Sequence, residues 1–403
     1  MFARLRLFAV GAVLVPALAP ATAVAASAPA RPAAVSAAFS GAASASAAAS
    51  GPRSAASYGA GELLDSAPVS SAQLLPSAAS GWNVVYSSTS YNGGGATVSG
   101  QVFVPAGTAP AGGWPVISWA HGTVGVAPQC GPTIAGRSAR DVAYLDGWLS
   151  AGYAVAATDY QGLGTVADGP HPFLNGNAEA YDTIDIVRAA QGLGVSLSNR
   201  WMVVGQSQGG QAALYTAPVA DSYAPDLDFR GTVATAPPTQ WAELLNVAGL
   251  HNPAAPVNTF LPLIVAGLKA TNPGTFNPAD FLTPTGLQLV AKTSQDCIDA
   301  IGTDVAGLTL GQVLNEDPAR LNALAALIET FDVPTGLDPE PVFIGQGTAD
   351  TTVFPPASQQ TANQLVASGT DVTFKFYPGA THNTLMAAAL GDVVGFAGDQ
   401  FSC

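Results

Sequence analysis

Positive charge is scarce in this chain of 403 residues: 13 Lys and Arg stand against 27 Asp and Glu, and charged residues make up only 10% of the sequence. A net charge of −14 makes nucleic acid and anionic membrane surfaces poor partners, because their phosphates are repelled rather than neutralised. Histidine is rarer still, with four copies, so any chemistry that needs an imidazole has few candidates. The three cysteines, Cys130, Cys297 and Cys403, include no CxxC pair and have no histidine beside them, which argues against a thiolate metal site. One disulfide plus one leftover thiol is the simplest arithmetic. No segment beyond the N-terminal region combines apolarity with the ~20 residues a bilayer crossing needs, so the mature chain is expected to carry no integral membrane segment.

Small and apolar residues supply what charge does not, with 48% hydrophobic residues, 44 Gly and 31 Pro. Arg4 and Arg6 precede an apolar run from Leu7 to Leu18, and small residues follow at Ala23, Ala25 and Ala26. That order reads as a secretory signal peptide over 1–26, and the Pro16 and Pro20 breaks disfavour a membrane anchor. Residues 27–57 are almost entirely Ala, Ser, Pro and Gly, too poor in large apolar surface to offset the entropy of ordering, so they read as a disordered linker. The compartment this implies is extracellular and permits disulfides.

From 58 to 403 short apolar, β-branched runs alternate with helical stretches: ATVSGQVFVP, WPVISWA, YAVAATD, RWMVVG, FRGTVATA, PVFIGQG and VTFKFYP. Continuous apolar strands separated by helices predict a mostly parallel sheet with both faces covered, an α/β fold. The alternation fails between about 237 and 334, where Leu, Ala, Asn and Pro predominate; nearly a hundred residues is long for one crossover, and the segment reads as an inserted helical cap.

WMVVGQSQGGQAALY carries the chemistry. A strand runs into Gly205-Gln206-Ser207-Gln208-Gly209 and a helix-prone stretch follows, the arrangement of a nucleophile elbow in the α/β-hydrolase fold. A serine hydroxyl needs a base to take its proton and a carboxylate to orient that base, in the chain order Ser, acid, His. Only His251 and His382 follow Ser207, and His382, just after VTFKFYP, is the one at a strand end. Asp350, just after PVFIGQG, is the expected acid; Asp371 precedes its strand, and Asp332 and Asp338 come too early and read as solvated loop residues. Asp159, at the end of YAVAATD, reads as a loop carboxylate bonded to nearby backbone. The oxyanion donors expected are the N–H of Gln208 and that of Thr123 in WAHGTVG, with His121 bracing that loop.

SWAHGTVG, CGPT, ATDYQGLG, GQSQGGQAA, GTADTTVFP and PGATHNT together resemble the secretory lipase family of fungi and actinobacteria, from about Leu63 to the C-terminus. The resemblance implies a triad of Ser207, Asp350 and His382, an oxyanion site near Thr123 and Gln208, and a helical lid within 237–334. It also implies a disulfide from Cys130 to Cys297. A second family bridge, from Cys403 to a cysteine just before the catalytic histidine, is expected to be missing because Ala380 occupies that place, leaving Cys403 free or in an intermolecular link.

The expected activity is hydrolysis of acylglycerol or other lipid esters through an acyl-enzyme, with no metal or organic cofactor, by a monomer acting on an ester substrate or at a lipid–water interface. A peptidase, an acyltransferase or a polyester hydrolase would use the same triad, and an exported binding protein on an inactive hydrolase scaffold is the alternative from another class.

Overall fold

A computed structural model describes residues 59–166 and 168–402. The signal peptide, the whole linker of 27–57, and Cys403 lie outside the described residues. Nine strands form one sheet: β1 (Leu63–Pro68), β2 (Ala78–Thr89), β3 (Gly95–Pro105), β4 (Trp114–Ala120), β5 (Ala154–Thr158), β6 (Leu197–Gln206), β7 (Asp228–Thr235), β8 (Val342–Gly347) and β9 (Val372–Tyr377). Their spatial order is β1-β2-β3-β5-β4-β6-β7-β8-β9. The first three strands and the β3–β5 pair run antiparallel, and every neighbour from β5 to β9 is parallel.

All five residues of β5 and all six of β8 are buried, as parallel strands covered on both faces require. Side-chain alternation divides the apolar residues between two faces. Ile117, Trp119, Met202 and Val204 join the core formed with the helices Ala139–Ser150 and Leu385–Ser402. Val116, Ala156, Trp201 and Val203 pack on the other face with Ile184, Ile186 and Val187 of the helix Gly176–Gln191.

Between β7 and β8 the chain leaves the sheet and builds a separate apolar cluster from Leu263, Val265, Ile301, Leu324 and Ile328. Its longer helices are Phe260–Thr271, Pro284–Lys292, Ile298–Val305 and Pro318–Glu329. Cys297, preceding the third of these, is disulfide-bonded to Cys130, 167 residues earlier in the chain. Beside that bond Gly125 and Cys297 form an isolated β-bridge, and the Ile298 N–H donates to the Val124 carbonyl at 2.9 Å. The inserted helices are therefore fastened to the loop that follows β4.

A bond closing so long a loop restricts the unfolded chain strongly. Replacing Cys130 and Cys297 together by alanine is expected to cost about 2–5 kcal/mol of stability. Equilibrium urea unfolding of the folded part measures it, and an unchanged midpoint would show that the bond does not restrain the unfolded chain.

Candidate active site

The carboxyl ends of the parallel strands share one edge of the sheet, and loops leaving that edge carry each candidate side chain. β4 ends at Ala120, before His121-Gly122-Thr123; β6 ends at Gln206, before Ser207; β8 ends at Gly347, before Asp350; β9 ends at Tyr377, before His382. Ser207 turns the chain with φ 57° and ψ −123°, a region that L residues rarely occupy, and the helix Gln208–Thr216 starts at once. A Cβ on residue 205 would lie 1.9 Å from the Gly209 carbonyl oxygen, and one on residue 209 would lie 1.8 Å from that of Ala120, so both positions admit only glycine. The Ser207 N–H donates to the Thr235 carbonyl at 2.9 Å, which holds the turn against the sheet.

Asp350 and His382 meet: Nδ1 of the imidazole lies 2.8 Å from Oδ2 of the carboxylate. That carboxylate is well supplied with donors. Oδ1 accepts the N–H groups of Thr352 and Val353 at 2.8 and 2.9 Å, and Oδ2 also accepts from Gln346 Nε2 at 3.2 Å. Burial pushes the Asp350 carboxyl up, but the His382 bond and charge and the two backbone donors outweigh it, leaving the pKa below the ordinary carboxylate value. Asp350 is thus an anion across the neutral range, and it fixes the neutral imidazole as the tautomer with Nε2 unprotonated.

The third partner does not close the chain of bonds in this structure. His382 Nε2 lies 3.1 Å from Gln206 Nε2, and the carboxamide, rather than the Ser207 hydroxyl, donates to the imidazole lone pair. Gln206 also approaches the His382 carbonyl at 3.5 Å. The histidine loop is further held to the acid loop. Ala349 N–H donates to the Ala380 carbonyl at 3.0 Å, Gly379 N–H donates to Thr348 Oγ1 at 2.9 Å, and Arg140 reaches Asn383 at 3.2 Å.

Ser207, Gln208, Thr123 and Asp350 line one wall of a cavity of about 520 Å³. The apolar lining comes mostly from the insertion, with Trp241, Leu244, Leu261, Ile264 and Ile328, and is completed by Phe173 and Leu174. No hydrogen bond occupies the backbone N–H of Gln208 or Thr123 among the described residues. Gly122 lets the Thr123 loop approach the elbow closely, since a Cβ there would sit 2.7 Å from Gln206 Oε1 and 3.3 Å from the Gln206 carbonyl oxygen. His121 braces this loop, its ring nitrogens 2.7 Å from the Gly122 carbonyl and 3.2 Å from the Asp159 carbonyl.

The remaining carboxylates and His251 stand elsewhere. His251 is exposed in the insertion. Asp159 is fully buried away from the cavity and bonds mainly to side chains, Ser99 Oγ at 2.6 Å and the Thr133 hydroxyl, besides the Thr133 N–H at 3.0 Å. Asp332 caps the insertion's first helix through the Trp241 N–H at 2.8 Å. Asp338 is not solvated as its loop position suggested: it is buried, and burial raises its pKa to about 7.

Three functional-site neighbours escaped the sequence reading: Gln206, His171 and Glu179. Glu179, Asp182 and Asp185 recur every third residue on one helix amid apolar neighbours, and that spacing was the available signal. All three are buried. Burial raises their pKa values to about 8, 8 and 7, against smaller lowering contributions from their hydrogen-bond donors. Asp182 and His171 support the DYQGLG loop: Asp182 Oδ2 accepts the Gln161 N–H at 2.8 Å, and His171 Nδ1 lies 2.8 Å from the Gln161 carbonyl.

Known lipases and esterases share this fold. The profile of the secretory lipase family matches residues 137–402. A probable inactive lipase of Mycobacterium tuberculosis is 25% identical over 323 residues, covering 75% of this chain and 69% of that protein. Candida antarctica lipase A in its closed state superposes with a TM-score of 0.71 at 21% identity, covering 87% of this chain and 84% of that one. The rice cell wall degrading esterase of Xanthomonas oryzae superposes with a TM-score of 0.65 at 19% identity, covering 84% of this chain and 98% of that one.

The buried acids carry a pH signature. A carboxyl with a raised folded-state pKa binds its proton more tightly in the folded chain, so its contribution is full below the ordinary carboxylate range and is lost as pH rises through about 7 to 8. Melting temperature is expected to fall between about pH 5 and 9 for this reason. Asp182→Asn, which cannot ionise, is expected to flatten the fall, and an identical slope in the two proteins would contradict it.

Proposed function

The chain belongs to the secretory lipase family, and on that premise we propose that it is an exported serine ester hydrolase acting on acylglycerols or related lipid esters. The observation that carries the reading is the Asp350–His382 pair, 2.8 Å apart, beside a strained serine elbow on the polar wall of an otherwise apolar cavity. The apolar wall suits an acyl chain, and the polar wall suits the ester group.

In this reading the Ser207 hydroxyl displaces the Gln206 amide from His382 Nε2. As Oγ attacks the ester carbonyl, its proton passes to Nε2 and the imidazolium is stabilised by the Asp350 anion. The carbonyl oxygen becomes an oxyanion facing the N–H groups of Gln208 and Thr123. The tetrahedral intermediate expels the alcohol, which takes the proton from His382, and an acyl-serine remains. Water, deprotonated by the same imidazole, then attacks the acyl-serine, releasing the acid and restoring the Ser207 hydroxyl. The signal-peptide features of 1–26 support export.

A non-catalytic role is the competing reading, favoured by one observation: the 25% identical relative carries the name of a probable inactive lipase. Against it stand the three side chains and both elbow glycines, all retained here.

Purified protein is expected to turn over p-nitrophenyl esters and to label with a fluorophosphonate probe, and Ser207→Ala is expected to abolish both. Asp350→Asn is expected to lower kcat about 10⁴-fold, because the imidazole loses its fixed tautomer. Unlabelled parent protein, or a Ser207→Ala variant that still turns over ester, would overturn the assignment.

A further inference from the structure

The side chain of Gln208 lies inside the protein, behind the backbone N–H that the proposed mechanism uses. Gln208 is 1% exposed, Glu179 0% and His171 2%. The carboxamide of Gln208 donates to Glu179 Oε1 at 2.7 Å and to His171 Nε2 at 3.1 Å, so both of its N–H bonds are committed. Each acceptor is itself fixed. Glu179 Oε1 also takes the Leu174 N–H at 2.9 Å, and His171 Nδ1 lies 2.8 Å from the Gln161 carbonyl, which leaves Nε2 as the lone-pair nitrogen.

We propose that Glu179 is a positioning residue for ester hydrolysis: through the Gln208 carboxamide it holds the first turn of the helix after Ser207 so that the Gln208 N–H stays aimed at the oxyanion. The inference rests on the proposed function, and specifically on Gln208 as an oxyanion donor. A donor contributes to a transition state only if its direction is set before charge develops, and a helix's first residue lacks the intrahelical bond that would set it. The side-chain anchor supplies that restraint. Glu179 also reaches the cavity wall, since Leu174 is held at φ 63° by a bond to the same oxygen and lines the cavity. One carboxyl therefore couples the oxyanion donor to the surface that the acyl chain meets.

Glu179 Oε2 is buried without a hydrogen-bond partner, while Oε1 receives two donors. That asymmetry fits a neutral carboxylic acid with its proton on Oε2, in line with burial raising its pKa to about 8. A glutamine has the same shape, with its carbonyl where Oε1 stands.

The experiment compares Glu179→Ala, Glu179→Gln and Gln208→Met with the parent enzyme on a soluble p-nitrophenyl ester, together with their melting curves. Glu179→Ala is expected to lower kcat about 10²-fold or more with little change in KM, the size seen when an oxyanion donor is lost. Glu179→Gln is expected to remain within a few-fold of the parent. Gln208→Met, which breaks the same bonds from the other side, is expected to lower kcat to a similar extent, and the double variant Glu179→Ala with Gln208→Met to lose little more than either alone. Should Glu179→Ala not fold, Gln208→Met and Glu179→Gln decide the matter. A folded Glu179→Ala with parental kcat, a Glu179→Gln as impaired as the alanine variant, or a Gln208→Met with parental kcat would overturn the proposal. Loss of turnover in Ser207→Ala separates this outcome from failure of the proposed function.

Discussion

The turn between β6 and the following helix closes only because residues 205 and 209 lack side chains. With the Gly209 carbonyl 1.9 Å from where a Cβ on residue 205 would stand, the backbone passes from strand to helix with no room to spare. Ser207 is forced to φ 57°, a conformation costing of order 1–3 kcal/mol, and the cost is met by the sheet around it. The Thr235 carbonyl holds its N–H, while the strand and the helix on either side are packed into the core. The same geometry presents the hydroxyl at the sheet edge and leaves the first helical N–H groups uncommitted beneath it. The proposed nucleophile and the proposed oxyanion donor are consequences of one tight turn.

Around that turn the protein separates chemistry from substrate contact. Loops of the sheet edge supply every polar candidate group, and the insertion between β7 and β8 supplies most of the apolar wall. The two are joined at the Thr123 loop, which His121 supports from the core side and Cys297 and Ile298 support from the insertion side.

The parallel half of the sheet was legible in the sequence because its strands are continuous apolar runs of β-branched residues, such as WPVISWA and RWMVVG, and each maps onto an observed strand. The β1–β2 hairpin was not. β1 is largely exposed and ends in proline, and β2 carries Gly81, Asn83 and several serines; its identity comes from pairing with β3 over eleven positions, a long-range fact. At the site, chain order and strand-end placement were enough to select Asp350 and His382, which the fold brings to 2.8 Å. Residues that act through other residues were missed. Beyond its three-residue spacing with Asp182 and Asp185, nothing local marks Glu179 until the fold buries it against Gln208, and Gln206 looks like a variable position of the elbow until its amide meets the imidazole.

That last contact bears on how the histidine loop is kept in place without a second disulfide. Ala380 stands where a bridging cysteine was expected from the family resemblance, yet the loop is joined to the Asp350 loop by backbone bonds and to the elbow by Gln206. Gln206 is 1% exposed and sits on β6 itself, so it moves with the nucleophile rather than with the loop. An amide donating to a neutral imidazole contributes on the order of 1 kcal/mol net, enough to hold the lone pair toward the serine and small enough for a serine hydroxyl to displace. In the proposed reading the elbow thus carries both the hydroxyl to be activated and the amide that holds the lone pair of its base.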